Sequence, residues 1–195
     1  MFNRLNAESQ EAEYGCPFLC LIRTPDQQDV DEWGTEGPID DFETGFVGQT
    51  DDELRHYYRL FLAERGTMGT ISENWMAVLD ENSAAQSAVV MHYGMKKSDW
   101  DEFNEDQPDE PIPGTGTVCD DGYIWWKWRI PFRNAYSFFT GLDSTGEELL
   151  ELYCHPEYLS ADGVLDVETV DKVMDRELPD TYGILKNRVE SEDES

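Results

Sequence analysis

The segment YIWWKWRIPF, residues 123–132, is the stretch that most constrains the fold. Two sets of side chains alternate along it: Trp126, Trp128 and Ile130 on one side, and Trp125, Lys127 and Arg129 on the other. Such a period of two places successive side chains on opposite faces of a β-strand. The segment therefore predicts a strand that ends at Pro131, which lacks the N–H needed for the next ladder hydrogen bond. We expect Trp126 and Trp128 to be buried together.

The other side of this strand is the candidate functional surface. Residues 112–140 contain only two acids, Asp120 and Asp121, in a chain that has 43. Trp, Tyr and Arg supply most of the binding energy at protein interfaces, where acids are depleted. The sequence thus predicts a partner-binding face formed by Trp125, Lys127, Arg129 and Arg133. The simpler interpretation is an ordinary core strand, and a stacking platform for a carbohydrate or a single strand is the weaker alternative.

The net charge of the chain excludes several functions. The 195 residues include 43 acidic and 14 basic side chains, so the formal charge is -29 at pH 7. Direct binding to nucleic acid or to an anionic membrane is disfavoured, because Lys and Arg supply the attraction in both cases. Hydrophobic residues make up 39% of the chain and aromatic residues 12%. That is enough for a packed core, and it excludes a disordered acidic polymer.

Two explanations of the negative charge stay open. In molar salt the Debye length is only about 3 Å, so repulsion between surface carboxylates is largely screened. The chain is rich in Asp and Glu and has only five Lys residues, a composition that resembles proteins of halophilic archaea and their viruses. The alternative is a DNA mimic, an acidic inhibitor whose carboxylates imitate a phosphate array and bind a DNA-binding protein.

Capping boxes locate the helices. The box at 50–53 predicts a helix over 51–65, with an apolar stripe from Leu54 to Leu62. A second box at 70–73 predicts a helix that carries Trp75 and Met76 and resumes after Asn82 to reach His92. Further helices are predicted around 98–101, after the box at 145–148, and from Asp166 to a stop at Pro179.

The remaining segments complete an α+β prediction, a single helix-rich domain with a few short strands and long irregular loops. We expect residues 1–13 to form a flexible acidic arm, 14–189 the globular domain and 190–195 a disordered acidic tail. Residues 16–23 have apolar side chains at both odd and even positions, as expected of a short strand buried on both faces. Residues 24–50 are irregular except for one strand at 42–47. Three prolines and two glycines in 105–117 mark a subdomain break or an exposed loop.

The sequence supplies enough ligands for one tetrahedral zinc ion: Cys16, Cys20, Cys119, Cys154 and His155. Cys16 and Cys20 lie about 13 Å apart on an extended strand, too far to share a metal ion. Small buried thiols are therefore the favoured interpretation, and no metal or cofactor is expected. Zinc held by Cys16, Cys20, Cys154 and His155 is the minor alternative.

Catalytic motifs are absent from the sequence. The chain has three histidines, His56, His92 and His155, and 43 acids. With so many acids, a carboxylate beside a histidine is expected by chance and does not indicate catalysis. No nucleophile elbow, phosphate-binding loop, dinucleotide fingerprint or zincin helix occurs. The acids from Asp99 to Glu110 do not follow the EF-hand calcium-loop pattern. Their negative charge also argues against a DNA-binding helix in this segment, since DNA phosphates would repel it. An enzyme without a recognisable motif is therefore only the third hypothesis.

These observations favour a non-enzymatic assembly or adaptor component of a halophilic archaeon or its virus, which binds other protein subunits. The DNA-mimic inhibitor is the alternative. The chain shows neither an apolar signal core nor a stretch of about 18 apolar residues. We therefore expect no membrane insertion, and a location in the cytoplasm or within a virus particle.

Overall fold

The computed structural model describes residues 1–12, 18–31, 33–65, 71–105, 111–145 and 147–185. Within these ranges the chain forms seven α-helices and one four-stranded antiparallel sheet. Helix accounts for 39% and strand for 17%, with irregular loops between them, and this confirms the predicted α+β class.

The strands are β1 (Trp75–Val78), β2 (Ala88–Lys96), β3 (Thr117–Val118) and β4 (Tyr123–Pro131). The helices are α1 (Phe2–Ala12), α2 (Asp51–Arg65), α3 (Ser83–Gln86), α4 (Lys97–Phe103), α5 (Ala135–Thr145), α6 (Glu147–Cys154) and α7 (Val167–Met174). Short 3-10 turns occupy Phe132–Asn134 and Pro156–Tyr158. The strand order is β1-β2-β4-β3, so β1 and β3 are the edges of the sheet.

The predicted strand at the centre of the chain is confirmed as β4. Its partner β2 runs antiparallel, and Trp126 and Trp128 face Tyr93 and Met91 in the register. Trp126 is 0% exposed and Trp128 is 4% exposed, as expected. They lie on the inner face of the sheet, where the apolar sides of α5, α6 and α7 form the main core.

Two of the helices predicted from capping signals, α2 and α7, are confirmed together with their caps. In α2 the Thr50 backbone N–H donates to the Glu53 carboxylate, and the Glu53 N–H donates back to the Thr50 hydroxyl. In α7 the Asp166 carboxylate accepts from the Thr169 N–H at 3.2 Å, and the stripe of valines behind it is buried. Each cap satisfies backbone groups that the first helical turn leaves without partners.

The helix predicted from Trp75 to His92 is wrong. Residues 75–78 and 88–96 are strands β1 and β2, and only α3 between them is helical. Apolar residues at i, i+1 and i+4 fit either a helix or a strand with two covered faces. β2 is an inner strand of the sheet, and its residues Ala88 to Met91 are buried and apolar on both faces.

The flexible arm predicted for residues 1–13 is likewise wrong over the part that is described. Residues 2–12 form α1, whose side chains Phe2, Leu5, Asn6 and Ser9 are all buried. This stripe follows the helical period, but two of its four members are polar. The Ser9 hydroxyl is satisfied by the Phe132 carbonyl oxygen, 2.7 Å away, which anchors α1 to the end of β4.

Two predicted strands are not observed. Residues 18–23 are irregular, and their backbone makes isolated hydrogen bonds to two loops. The Thr35 N–H donates to the Leu19 carbonyl and the Gly45 N–H donates to the Arg23 carbonyl, each at 2.9 Å. Residues 45–48 form a turn in place of the strand at 42–47. The predicted tail at 190–195 and residues 106–110 of the predicted break lie outside the described ranges, so these domain boundaries stay predictions.

Candidate functional site

The outer face of the sheet carries three of the four predicted partner-binding residues, Trp125, Lys127 and Arg129, and α2 covers part of it. Trp125 lies beneath α2 with Tyr58, Phe61 and Leu62, and it is 1% exposed. A methyl group on Gly94 would approach the Trp125 ring to 2.9 Å, so this close packing requires glycine. The prediction that Trp125 is exposed to a partner is therefore wrong, since its ring fills the contact between helix and sheet.

A cavity of about 340 Å³, which we call the polar pocket, opens beside α2 and is lined by residues of β1, β2 and β4 and by Tyr153 and Cys154 at the end of α6. Val78 and Val90 belong to its floor. The polar and charged residues that line it are Asp51, Asp80, Thr115, Lys127, Arg129 and Asp162. The register explains part of this set, because Lys127 and Arg129 face His92 and Val90 across the strand pair.

Two ion pairs border the polar pocket. The Lys127 Nζ donates to the Asp51 carboxylate at 2.6 Å, which ties β4 to the first turn of α2. Burial alone would raise the pKa of Asp51, but the Lys127 hydrogen bond and nearby positive charges outweigh it and lower the pKa. Arg129 forms a bidentate ion pair with Asp80, and its hydrogen bonds lower the pKa of Asp80 to about 2. Both carboxylates are therefore ionised at neutral pH.

His92 lies behind the polar pocket and is fully buried. Neither ring nitrogen has a hydrogen-bond partner among the residues that the structure describes, and Nε2 lies 3.7 Å from the Asp51 carboxylate. Burial lowers the pKa of His92 to about 4, and the positive charges of Arg55 and Lys127 add to that effect against the attraction of Asp51. The imidazole is therefore neutral at pH 7, so it adds no charge to the pocket.

A second and larger cavity, of about 920 Å³, runs along β1, and we call it the apolar groove. Its walls are residues 18–22, 39–49, the start of α1 and one side of α2, and β1 lies along its floor. Most of the lining side chains are apolar. Three exposed acids, Asp40, Asp41 and Glu81, stand at the groove and belong to no ion pair of the described residues.

The backbone of β1 presents an unpaired edge to this groove. The Gly94 N–H donates to the Asn74 carbonyl at 2.8 Å, and the register continues with Met76 facing His92. In an antiparallel ladder alternate residues bond to the neighbour, so the N–H and C=O groups of Trp75 and Ala77 point outward. These outward groups have no hydrogen-bond partner among the described residues. Such an edge is able to pair with another strand.

The structure brings together only two of the four predicted partner-binding residues. Lys127 and Arg129 share the polar pocket. Arg133 is exposed but lies beyond the end of β4, where it pairs with Glu168 at 3.0 Å. The apolar groove was not predicted, because its walls come from loops distant in sequence and no local pattern marks them.

The candidate zinc ligands do not form a group in the described part of the chain. Cys16 lies outside it, and no three His, Cys, Asp or Glu side chains within it could hold a metal ion. Cys119 and Cys154 are free thiols. Burial raises the pKa of Cys154 to about 12, so its thiol stays protonated and unreactive. The His155 ring stacks on Tyr182, with centroids 3.8 Å apart.

Comparison of the chain with protein-family models, curated proteins and solved structures finds no match. A membrane-spanning helix does not occur among the residues that the structure describes, since none of their helices has the necessary length and apolar character. The function must therefore be inferred from the groove and the pocket themselves.

Proposed function

We propose that the protein is a non-enzymatic interaction component of a halophilic archaeon or of one of its viruses. In this proposal it binds an extended segment of another protein chain, which adds to the sheet as a fifth strand beside β1. The observation that carries the proposal is the unpaired edge of β1 on the floor of an apolar groove. Strand addition uses the backbone for affinity and the groove for side-chain selectivity.

The groove favours a single partner segment over a second copy of the chain. The edge strand β1 is flanked by residues 18–22 and 39–49, which line a cavity of about 920 Å³ along it. These walls leave room for one extended segment but would obstruct the edge-to-edge approach of two whole sheets. The exposed Asp40, Asp41 and Glu81 favour a segment with apolar residues at its centre and Lys or Arg near its ends.

The non-enzymatic part of the proposal is supported by the state of the pocket residues. Lys127 and Arg129 are each engaged by a carboxylate, and the Cys154 thiol is protonated. The two ion pairs connect β4 to α2 and to the loop after β1. None of these side chains is held in the activated form that nucleophilic catalysis requires.

Substitution at Ala77 tests strand addition. A Pro at this position removes the outward N–H, which β2 does not use, and edge strands tolerate Pro in this orientation. We expect Ala77→Pro to weaken binding of a peptide by about tenfold, equivalent to about 1.4 kcal/mol. The probe is the tightest binder selected in molar KCl from a phage-displayed library of random peptides, measured by fluorescence anisotropy.

The matched control is Ala77→Val, which keeps the N–H and suits a strand, so its affinity should equal that of the wild type. Circular dichroism of both variants confirms that the sheet is intact. Equal affinity of the Pro variant and the wild type would contradict strand addition at β1. So would selected peptides that lack both basic residues and an alternating apolar pattern.

Salt dependence tests the halophilic part of the proposal. Since molar KCl screens repulsion between carboxylates, the melting temperature should rise steadily from dilute to molar KCl. The measurement is thermal denaturation followed by circular dichroism across that range. A melting temperature that is constant or falls would show that the negative charge serves another purpose, and a DNA mimic would then be the leading explanation.

A further inference from the structure

Trp75 of β1 has a buried indole N–H without a hydrogen-bond acceptor. The side chain is only 7% exposed, and its Nε1 atom has no partner among the described residues. Buried indole N–H groups usually have an acceptor, because a donor that loses water without replacing it is unfavourable. On the same face of the sheet, the indoles of Trp126 and Trp128 donate to the carbonyls of Pro113 and Tyr153, each at 3.0 Å. Of these three tryptophans, only Trp75 lacks an acceptor.

The apolar groove is the open side of Trp75. Aromatic rings cover its other sides, with centroids 4.8 Å away for Tyr93, 5.7 Å for Phe138 and 5.5 Å for Phe139. The Phe rings carry no acceptor atom, and the Tyr93 hydroxyl makes no hydrogen bond with the indole. Trp75 itself belongs to the lining of the groove, as does Ala77. A ligand in the groove is therefore the available source of an acceptor.

Strand addition along β1 would place a side chain beside this indole. Trp75 and Ala77 carry the outward backbone groups of β1, so a fifth strand bonds to these two residues. Residues that face each other in neighbouring strands have their side chains on the same face of the sheet. The segment residue opposite Ala77 therefore lies on the inner face, about 7 to 8 Å diagonally from Trp75 and within reach of a large side chain. Ala77 is small and exposed, which leaves room for that residue.

We infer that the segment bound along β1 carries one uncharged hydrogen-bond acceptor opposite Ala77, and that this group accepts from the indole N–H of Trp75. The acceptor is the amide oxygen of Asn or Gln, or the hydroxyl oxygen of Ser or Thr. This inference rests on the proposed function and specifies the sequence of the partner. An apolar residue at this position is disfavoured, because it leaves the buried donor unpartnered.

The surroundings of Trp75 disfavour a charged acceptor. Phe18 and Phe139 line the groove on the inner face, so an ionised carboxylate beside them would lose hydration that a single neutral donor does not replace. Asp40 and Asp41 also stand at the groove and would repel a further negative charge. A neutral amide or hydroxyl loses less on burial, and the indole N–H satisfies it.

The indole signals in two-dimensional NMR spectra test the inference in the unmodified protein. The probe is the tightest peptide selected from the phage-displayed library, added to saturation in molar KCl, with the indole signals assigned by triple-resonance spectra. We expect the Trp75 indole proton to move downfield as its N–H gains an acceptor. The indole protons of Trp126 and Trp128, which already have acceptors, are the controls and should change little. A Trp75 signal that stays in place or moves upfield would overturn the inference.

Paired substitutions measure the same hydrogen bond as affinity. Each Ser, Thr, Asn or Gln of the peptide is replaced in turn by an apolar residue of similar size, and binding to the wild type and to Trp75→Phe is measured by fluorescence anisotropy. One replacement should weaken binding to the wild type by about fivefold and leave binding to Trp75→Phe, which lacks the N–H, unchanged. Equal weakening with both proteins would overturn the inference, as would selected peptides that contain none of these four residues.

The inference and the proposed function fail in different ways. Strand addition fails when Ala77→Pro binds the peptide as tightly as the wild type does, and the acceptor then has no strand to carry it. The inference alone fails when Ala77→Pro weakens binding as expected but the Trp75 indole signal does not move downfield in the saturated complex.

Discussion

Replacement of Trp126 by alanine is expected to lower the free energy of unfolding by about 3 to 5 kcal/mol. The ring is 0% exposed and packs against Trp100 and Tyr93 in the centre of the core. Its indole N–H also donates to the Pro113 carbonyl at 3.0 Å, which holds the loop before β3. The substitution therefore leaves a cavity and also removes a buried hydrogen bond.

Urea denaturation in molar KCl, followed by circular dichroism, measures this change. Trp33→Ala is the matched control, because Trp33 is 80% exposed and its loss should change stability by less than about 0.5 kcal/mol. A loss below about 1 kcal/mol for Trp126→Ala would contradict the placement of Trp126 in the core.

Acidification is expected to destabilise the protein through His92. The imidazole has a pKa of 6.5 when unfolded and about 4 when folded, so between these values the unfolded chain binds a proton that the folded chain does not. Stability contributed by the neutral imidazole is therefore present above pH 6.5 and is lost as the pH falls toward 4. From neutral pH to about pH 4.5 the expected loss is about 2 kcal/mol.

His92→Leu separates this effect from the titration of the many carboxylates, which both proteins share. The wild type should lose about 2 kcal/mol more than the variant over the same pH range, measured by urea denaturation in molar KCl. The groups that face His92 are Asp51 and Arg55 on α2 and Lys127 on β4. The lowered pKa of Asp51 keeps it ionised over this range. Equal losses in the two proteins would show that His92 does not titrate as described.

Local patterns in the sequence predicted the elements whose signals are complete within one segment. The reciprocal cap of Thr50 and Glu53 located α2, and the alternation through Trp126 and Trp128 located β4. Prediction from apolar periodicity failed where polar side chains interrupt an apolar stripe, as Asn6 and Ser9 do in α1. It also failed for β2, since a strand buried on both faces has the same apolar run as a buried helix.

The candidate site depended on long-range packing, which explains why little of it could be predicted. The alternation along β4 correctly separated Trp125, Lys127 and Arg129 from the core face. It could not show that α2 covers Trp125 and pairs with Lys127 through Asp51, because that depends on where a helix more than sixty residues earlier in the chain docks. The apolar groove likewise depends on loops that meet β1 only in the folded protein.

Hydrogen exchange at the amide of Ala77 is the most direct test of the central claim. This N–H points away from β2 at the edge of the sheet and lacks a partner among the described residues. It should therefore exchange rapidly in the free protein. When the selected peptide saturates the groove, strand addition predicts that the Ala77 amide becomes strongly protected, while the Met76 amide, already bonded to β2, changes little. Rapid exchange of the Ala77 amide in the saturated complex would contradict strand addition.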